Sequence, residues 1–236
     1  MAERRLDVLT VRIYERPGAA PIVPRWLAAA REHLPEAVPV RFGDTEPLRG
    51  RFDRLGEKGL LEAYAAADHL LFLTGRPPVY HASLAVPRRT GWGPTISHGL
   101  DVEATPGDER VRRFALALAG PATVYLSASV SGGLLLDGRS LIGPAAVPPE
   151  LYLAAFGEWL GLPPEPPEWC WFGPDYASLV RRHTPGDAVA GGLFYTGGPW
   201  VPERLRARLD EVDPINRHAR RMPRGLRRPP WRRWST

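Results

Sequence analysis

Of 236 residues one is cysteine, two are methionine, and only one of the 31 basic residues, Lys58, is lysine. A lone Cys170 closes no intrachain disulfide and builds no cysteine-rich metal site, which fits a reducing compartment. No run approaches the roughly 18 to 20 apolar residues of a membrane span, and Leu6 to Val11 is too short for a signal-peptide apolar region. The expectation is a cytoplasmic protein that enters no membrane. Several motifs are missing too: no G-x-x-x-x-G-K-[ST] loop, no G-x-G-x-x-G after a strand, and no G-x-S-x-G elbow. P-loop nucleotide binding and elbow-type serine hydrolysis are thereby excluded. Self-similarity at the ~20 to 50-residue periods of solenoids is also lacking.

What remains is a composition with 44% hydrophobic, 24% charged and 9% aromatic residues, enough apolar mass for a core. The positive charge is unevenly placed. Pro214 to Thr236 holds Arg217, Arg220, Arg221, Arg224, Arg227, Arg228, Arg232 and Arg233 and no acid, leaving 23 basic against 26 acidic residues on the other 213. The net charge of +5 therefore belongs to a tail on a slightly acidic body. With four prolines and few large apolar side chains, residues 214–236 bury too little surface to offset their ordering entropy and read as a disordered or loosely docked arm. Arginine richness alone is weak evidence for nucleic acid, because abundant Ala, Gly and Pro accompany it. Its concentration beside Trp231 and Trp234 makes a nucleic-acid or acidic-partner contact the alternative reading.

Residues 1–213 read as a single α+β domain, a mostly antiparallel sheet with helices packed chiefly on one face. Leu9, Val11 and Ile13 alternate with Thr10 and Arg12, as in a half-buried strand. Val23, Trp26, Leu27, Ala30 and Leu34 make a helical stripe after Pro24, and Leu60, Leu61, Tyr64 and Ala65 make a second. His69 to Leu73 is apolar on both faces, as in a central strand. Tyr80, Ala82, Leu84 and Val86 face the core from the next strand, and Ile96, Leu100 and Val102 from the one after. These three strands in a row leave no room for parallel crossovers. Thr105 to Asp108 resembles a capping box before a helix carrying Val111, Phe114, Ala115 and Leu118. Gly132-Gly133 and Asp137-Gly138 are dipeptides of two-residue hairpin turns, predicting a meander from Thr123 to Ile142. Helices are expected over 150–160, 174–182 and 202–210, with a strand over 189–195. Pro163 to Pro167 is a semi-rigid run within that one domain.

Chemistry-bearing side chains are scattered. Asp101 and Glu103 share one strand face, and with His81 they give the less favoured reading of a metal-dependent hydrolase or nuclease; a solvated acidic pair is the default. His98 lies three residues from Asp101, on the opposite face with the core residues, where a satisfied imidazole is expected. Ser127, Ser129 and Ser131 sit on the polar face of a strand. No catalytic residue, metal or cofactor is assigned. Trp169, Trp171, Phe172, Tyr176, Tyr195 and Trp200 cluster among Gly and Pro, forming either a recognition surface or a satellite core.

Two segments, Val40 to Leu48 (VRFGDTEPL) and Trp171 to Tyr176 (WFGPDY), resemble immunity proteins of bacterial polymorphic-toxin systems, the group named immunity protein 52, and uncharacterised actinobacterial relatives. The resemblance runs patchily from Val38 to Trp200. It implies a non-enzymatic, cytosolic protein that binds and neutralises a cognate toxin, and it transfers no individual binding residue. The sequence itself offers Arg41, Asp44 and Glu46 in a turn-rich loop for charged specificity, with Trp169, Trp171 and Trp200 as aromatic anchors. The competing reading makes Arg41 and Glu46 a mutual ion pair and the tryptophans core.

Overall fold

A computed structural model describes residues 4–16, 19–86, 96–137, 140–142, 162–163 and 165–206. Its centre is a pair of long strands, β1 (Arg4–Glu15) and β7 (Thr123–Asp137), antiparallel along most of their length. On one side of the pair lies the meander β4 (Leu70–Thr74), β5 (Val79–Ala85) and β6 (Ile96–Val102), whose last strand pairs with β1. Beyond β4 come the short β2 (Arg41–Gly43) and β3 (Gly50–Arg51). On the other side, β7 pairs with β9 (Trp169–Phe172), followed by β11 (Gly192–Tyr195) and β10 (Asp187–Val189). The order is β10-β11-β9-β7-β1-β6-β5-β4-β2-β3, with β8 (Ser140–Ile142) alongside β7, and every strand pairing described is antiparallel. The chain on both sides of Pro163 to Pro167 thus contributes to one sheet, and the fold is α+β as expected.

Three helices cover one face. The first, α1 (Ile22–His33), buries Val23, Trp26, Leu27 and Ala30, with Leu34 closing the stripe. The Trp26 ring meets Phe114 edge-to-face at 4.9 Å, and its Nε1 donates to Ala37 O. Phe114 belongs to α3 (Glu109–Leu118), which also buries Val111, Ala115 and Leu118. Its cap is Asp108, accepting the Arg110 N–H, rather than Thr105, so the helix starts one turn later than a capping box would place it. Between them in sequence, α2 (Phe52–Ala66) anchors through Leu60, with Ala63, Tyr64 and Ala67 packed against the same core. Leu61 and Ala65 turn outward, because a helix that buries residue 60 places residue 61 about 100° round its axis.

The opposite face is covered only in part. Near β9 and β11, α4 (Pro174–Val180) lays Tyr176, Ala177 and Val180 on Tyr14, Tyr125, Cys170 and Phe172. A smaller cluster joins Leu6, Val8, Tyr80 and Leu134. Over β4 neither cluster reaches. That strand is therefore half-buried, with Leu71 and Leu73 inside and Leu70 exposed, instead of apolar-packed on both faces.

Three further expectations are corrected by irregular strand geometry. At Gly132-Gly133 the chain does not reverse: β7 runs on, and the register against β1 shifts between Leu6 and Val8, so the glycines form a bulge. Gly133 has φ +70°, and its N–H donates to Asp7 Oδ1 at 3.0 Å. The reversal comes later, where Asp137 pairs with Ser140. A second register shift, between Val79 and His81, puts Tyr80 on the partly covered face rather than under the helices. Third, the single strand expected over 189–195 is a hairpin, with Val189 opposite Gly192 and the turn made by Ala190 (φ 48°) and Gly191 (φ 77°). The helix expected from Pro202 is a short 3-10 turn, Glu203–Leu205, before Arg206 bridges to Leu162. The helix expected over 150–160 and the basic arm lie outside the described residues.

Candidate functional site

Two polar clusters lie on opposite faces of the sheet. The first is buried beneath the helices. Glu15 continues the inward alternation of Leu9, Val11 and Ile13 and is 1% exposed. Arg25 of α1 grips it with both Nη atoms, at 2.8 and 2.6 Å, and also donates to Leu118 O at 2.7 Å. Thr123 Oγ1 donates to Glu15 Oε1 at 2.9 Å while accepting the Gly120 N–H. His98 Nδ1 accepts the Ala85 N–H at 3.1 Å, which places the ring proton on Nε2, 3.4 Å from Glu15 Oε2. Burial alone would raise the Glu15 pKa. Contact with His98 and the paired Arg25 bonds outweigh it and lower the value to about 2. Tyr64, whose hydroxyl donates to Ala85 O, is pushed up to about 12 by burial and by the Glu15 charge. This cluster ties β1, β5, β6, α1 and the α3–β7 connection together, and the burial of Glu15, His98 and Thr123 at its centre makes it a structural staple.

The second cluster stands on the partly covered face. β1 offers Thr10 and Arg12, β6 offers Asp101, and β5 offers His81 and Ser83, in register across three strands. Asp101 Oδ1 accepts from Thr10 Oγ1 at 2.9 Å, and Oδ2 lies 3.4 Å from His81 Nδ1. Arg12 Nη1 stands off at 3.9 Å from Oδ1. Desolvation opposes the Asp101 charge, but His81, Arg12 and Thr10 together hold its pKa below the usual carboxylate value. The Phe72 ring lies 5.6 Å from the His81 imidazole. Side chains of Arg12 and His81 are each 35% exposed, so the cluster is open to solvent.

Asp101 and Glu103 do share a face, and His81 does approach Asp101. Glu103, however, is engaged by Arg4 and by the Tyr80 hydroxyl at 2.7 Å. Among the described residues no group of three or more His, Cys, Asp and Glu side chains is arranged to hold a metal ion.

The loop candidates stay outside. Arg41, Asp44 and Glu46 are all exposed around the β2–β3 connection, which is pinned at both ends by buried Phe42 and Leu48. Arg41 Nη1 donates to Leu48 O at 3.4 Å rather than pairing with Glu46, and Asp44 accepts from the neighbouring Thr45 hydroxyl. The tryptophans divide. Trp169 and Trp171 are buried, Trp169 stacked on Phe194 and Trp171 donating to Val189 O, so neither is available as a surface anchor. They point to the helix-covered face while Cys170 and Phe172 fill the other, because α4 gives β9 a cover on its second side. Trp200 is half-buried against Tyr195 and Phe172 and donates to Pro163 O. Arg217, Arg220, Arg221, Arg224, Arg227, Arg228, Arg232 and Arg233 lie outside the described residues.

Apart from His81 with Asp101, both clusters depend on pairings that local periodicity does not reveal. The signal for the first was Glu15 itself, an acid continuing the buried alternation of β1. For the second it was Thr10 and Arg12, on the same polar face as Asp101. No described helix is long and apolar enough to cross a membrane. Comparison of the chain with known family models, curated proteins and solved structures found no match.

Proposed function

We propose that this chain is a non-enzymatic, cytoplasmic binding protein that neutralises a cognate bacterial toxin by occupying the toxin's functional surface. The observation that carries the reading is the β2–β3 loop. Arg41, Asp44 and Glu46 stand exposed on a short connection held by buried Phe42 and Leu48, and they form no ion pair with one another. Charges of both signs on a firmly based loop favour partner discrimination over general stickiness. The loop also lies within the segment, Val40 to Leu48, that resembles immunity proteins.

The test is the neighbouring gene: if it encodes a secreted multidomain toxin, this chain is co-expressed with that toxin's C-terminal domain. Rescue of the cells and co-elution of the purified pair are expected. The charge reversals Arg41→Glu, Asp44→Lys and Glu46→Lys should each weaken the complex by about tenfold or more, in line with desolvated interface charges, while leaving the melting temperature unchanged. Failure of both rescue and co-elution sinks the reading. The alternative, nucleic-acid association through residues 214–236, rests on eight arginines without an acid. It predicts an affinity that falls steeply with salt and disappears when those residues are removed.

A further inference from the structure

We infer that the polar strip over β1, β6 and β5 is a binding site for a small oxyanion, a carboxylate or phosphate group, held by Arg12, Ser83 and His81. The inference is independent of the toxin-binding reading, since it uses the sheet face and not the β2–β3 loop.

The argument is an account of donors and acceptors. Asp101 is the one carboxylate of the cluster, and each of its oxygens already has a partner, one the Thr10 hydroxyl at 2.9 Å and one His81 Nδ1 at 3.4 Å. Arg12 is left over. Its Nη1 is 3.9 Å from Asp101 Oδ1, beyond hydrogen-bond reach, and its guanidinium has no hydrogen-bond acceptor among the described residues. With Nδ1 turned to Asp101, His81 keeps Nε2 for another partner. Ser83 brings a hydroxyl to the same place. The point where these groups meet is Gly99, which lies opposite Arg12 on β1 and Ser83 on β5. A methyl group added there would come within 2.4 Å of Arg12 Nη1 and 3.0 Å of Ser83 Oγ. The missing side chain is what lets the guanidinium lie down on the sheet beside the serine.

Donors from Arg12, His81, Ser83 and Thr10 around a single carboxylate, and a half-buried guanidinium fixed on a strand with no hydrogen-bond acceptor among the described residues, favour an anion. A planar fork with a hydroxyl beside it suits the oxygens of a carboxylate or phosphate, and hydrogen bonds to such charged acceptors are about twice as strong as neutral ones. A cation would meet Arg12 first and find Asp101 already engaged. The Phe72 ring, 5.6 Å from His81, borders the strip with an apolar wall for whatever carries the anionic group.

The experiment is an NMR titration of the full chain with inorganic phosphate and, separately, with succinate, at ionic strength held constant with sodium chloride. Saturable shifts of the Gly99 and Ser83 amides and of the His81 ring are expected with at least one anion, and the anion that saturates distinguishes phosphate from carboxylate chemistry. Arg12→Gln should weaken binding at least about tenfold, and Arg12→Lys, which keeps the charge without the fork, at least about threefold. Gly99→Ala, which displaces the guanidinium while preserving every charge, should weaken it as well. If Arg12→Gln loses its fold, judged by its melting temperature, Ser83→Ala and His81→Gln carry the test with the same expected direction. Absence of saturable shifts with both anions overturns the inference, as does equal affinity in the folded variants.

Discussion

Glu15 contributes to the acid stability of this protein. Its pKa of about 2 in the folded chain lies below the ordinary 4.5. A depressed carboxylate stabilises the fold fully above its unfolded pKa, and that stabilisation drains away as pH falls from about 4.5 towards 2. At 1.36 kcal/mol per unit, the shift corresponds to about 3 kcal/mol for this one buried side chain. Denaturant melts across this range should show the loss. Glu15→Gln should flatten the acid limb and cost about 3 kcal/mol at neutral pH, because Arg25 would keep its charge at a site built around a carboxylate. An acid limb unchanged in the variant would assign the pH dependence elsewhere. Asp101, also depressed, adds in the same direction, but its partly open position calls for a smaller share.

At the scale of elements, the β10–β11 hairpin and α2 make sharp contrasts. Ala190 holds φ 48° in a two-residue turn that favours Asn-Gly, so Ala190→Asn should raise stability by about 0.5 to 1 kcal/mol. Gly191→Ala should lower it by about 1 kcal/mol, since φ 77° is strained for any residue with a Cβ even where space is open. In α2 two adjacent leucines do opposite work. Leu60 is fully buried and Leu61 is 37% exposed. Leu60→Ala should cost about 2 to 5 kcal/mol, and Leu61→Ala less than about 1, by equilibrium unfolding. A comparable cost for both would mean that α2 packs through a different face. The Gly133 bulge gives a further check: Asp7→Ala removes the acceptor of the Gly133 N–H and should cost about 1 kcal/mol.

For the whole molecule, the sheet is the scaffold and its two faces have different roles. Helices α1, α2 and α3 close one face over a single large apolar cluster that reaches from Phe42 to Phe194. The other keeps the strip of Thr10, Arg12, His81, Ser83 and Asp101 open to solvent, bordered by the smaller apolar clusters. With four prolines and few large apolar side chains, residues 214–236 have little surface to bury, so removing them should change the melting temperature little. A fall of many degrees in a thermal scan of the truncated chain would make the tail part of the fold.

Local periodicity was enough for much of this. The alternation of Leu9, Val11 and Ile13, the helical stripes around Trp26 and Phe114, and the row of three strands from β4 to β6 are short-range signals, each set by which side chains must leave water. They determined the α+β class and the antiparallel meander. What they could not determine is anything set by a neighbour distant in sequence. Gly132-Gly133 has turn chemistry, yet it is a bulge because β1 continues alongside it. Trp169 and Trp171 have the chemistry of binding anchors, yet β9 is buried on both faces because α4 closes the second. Asp101 looked like half of a carboxylate pair, but Glu103 is taken up by Arg4 and Tyr80 while Thr10, His81 and Arg12 converge on Asp101 from two other strands. Those partners lie 20 to 99 residues away in the chain, and only strand register, fixed by the packing of the whole sheet, brings them together.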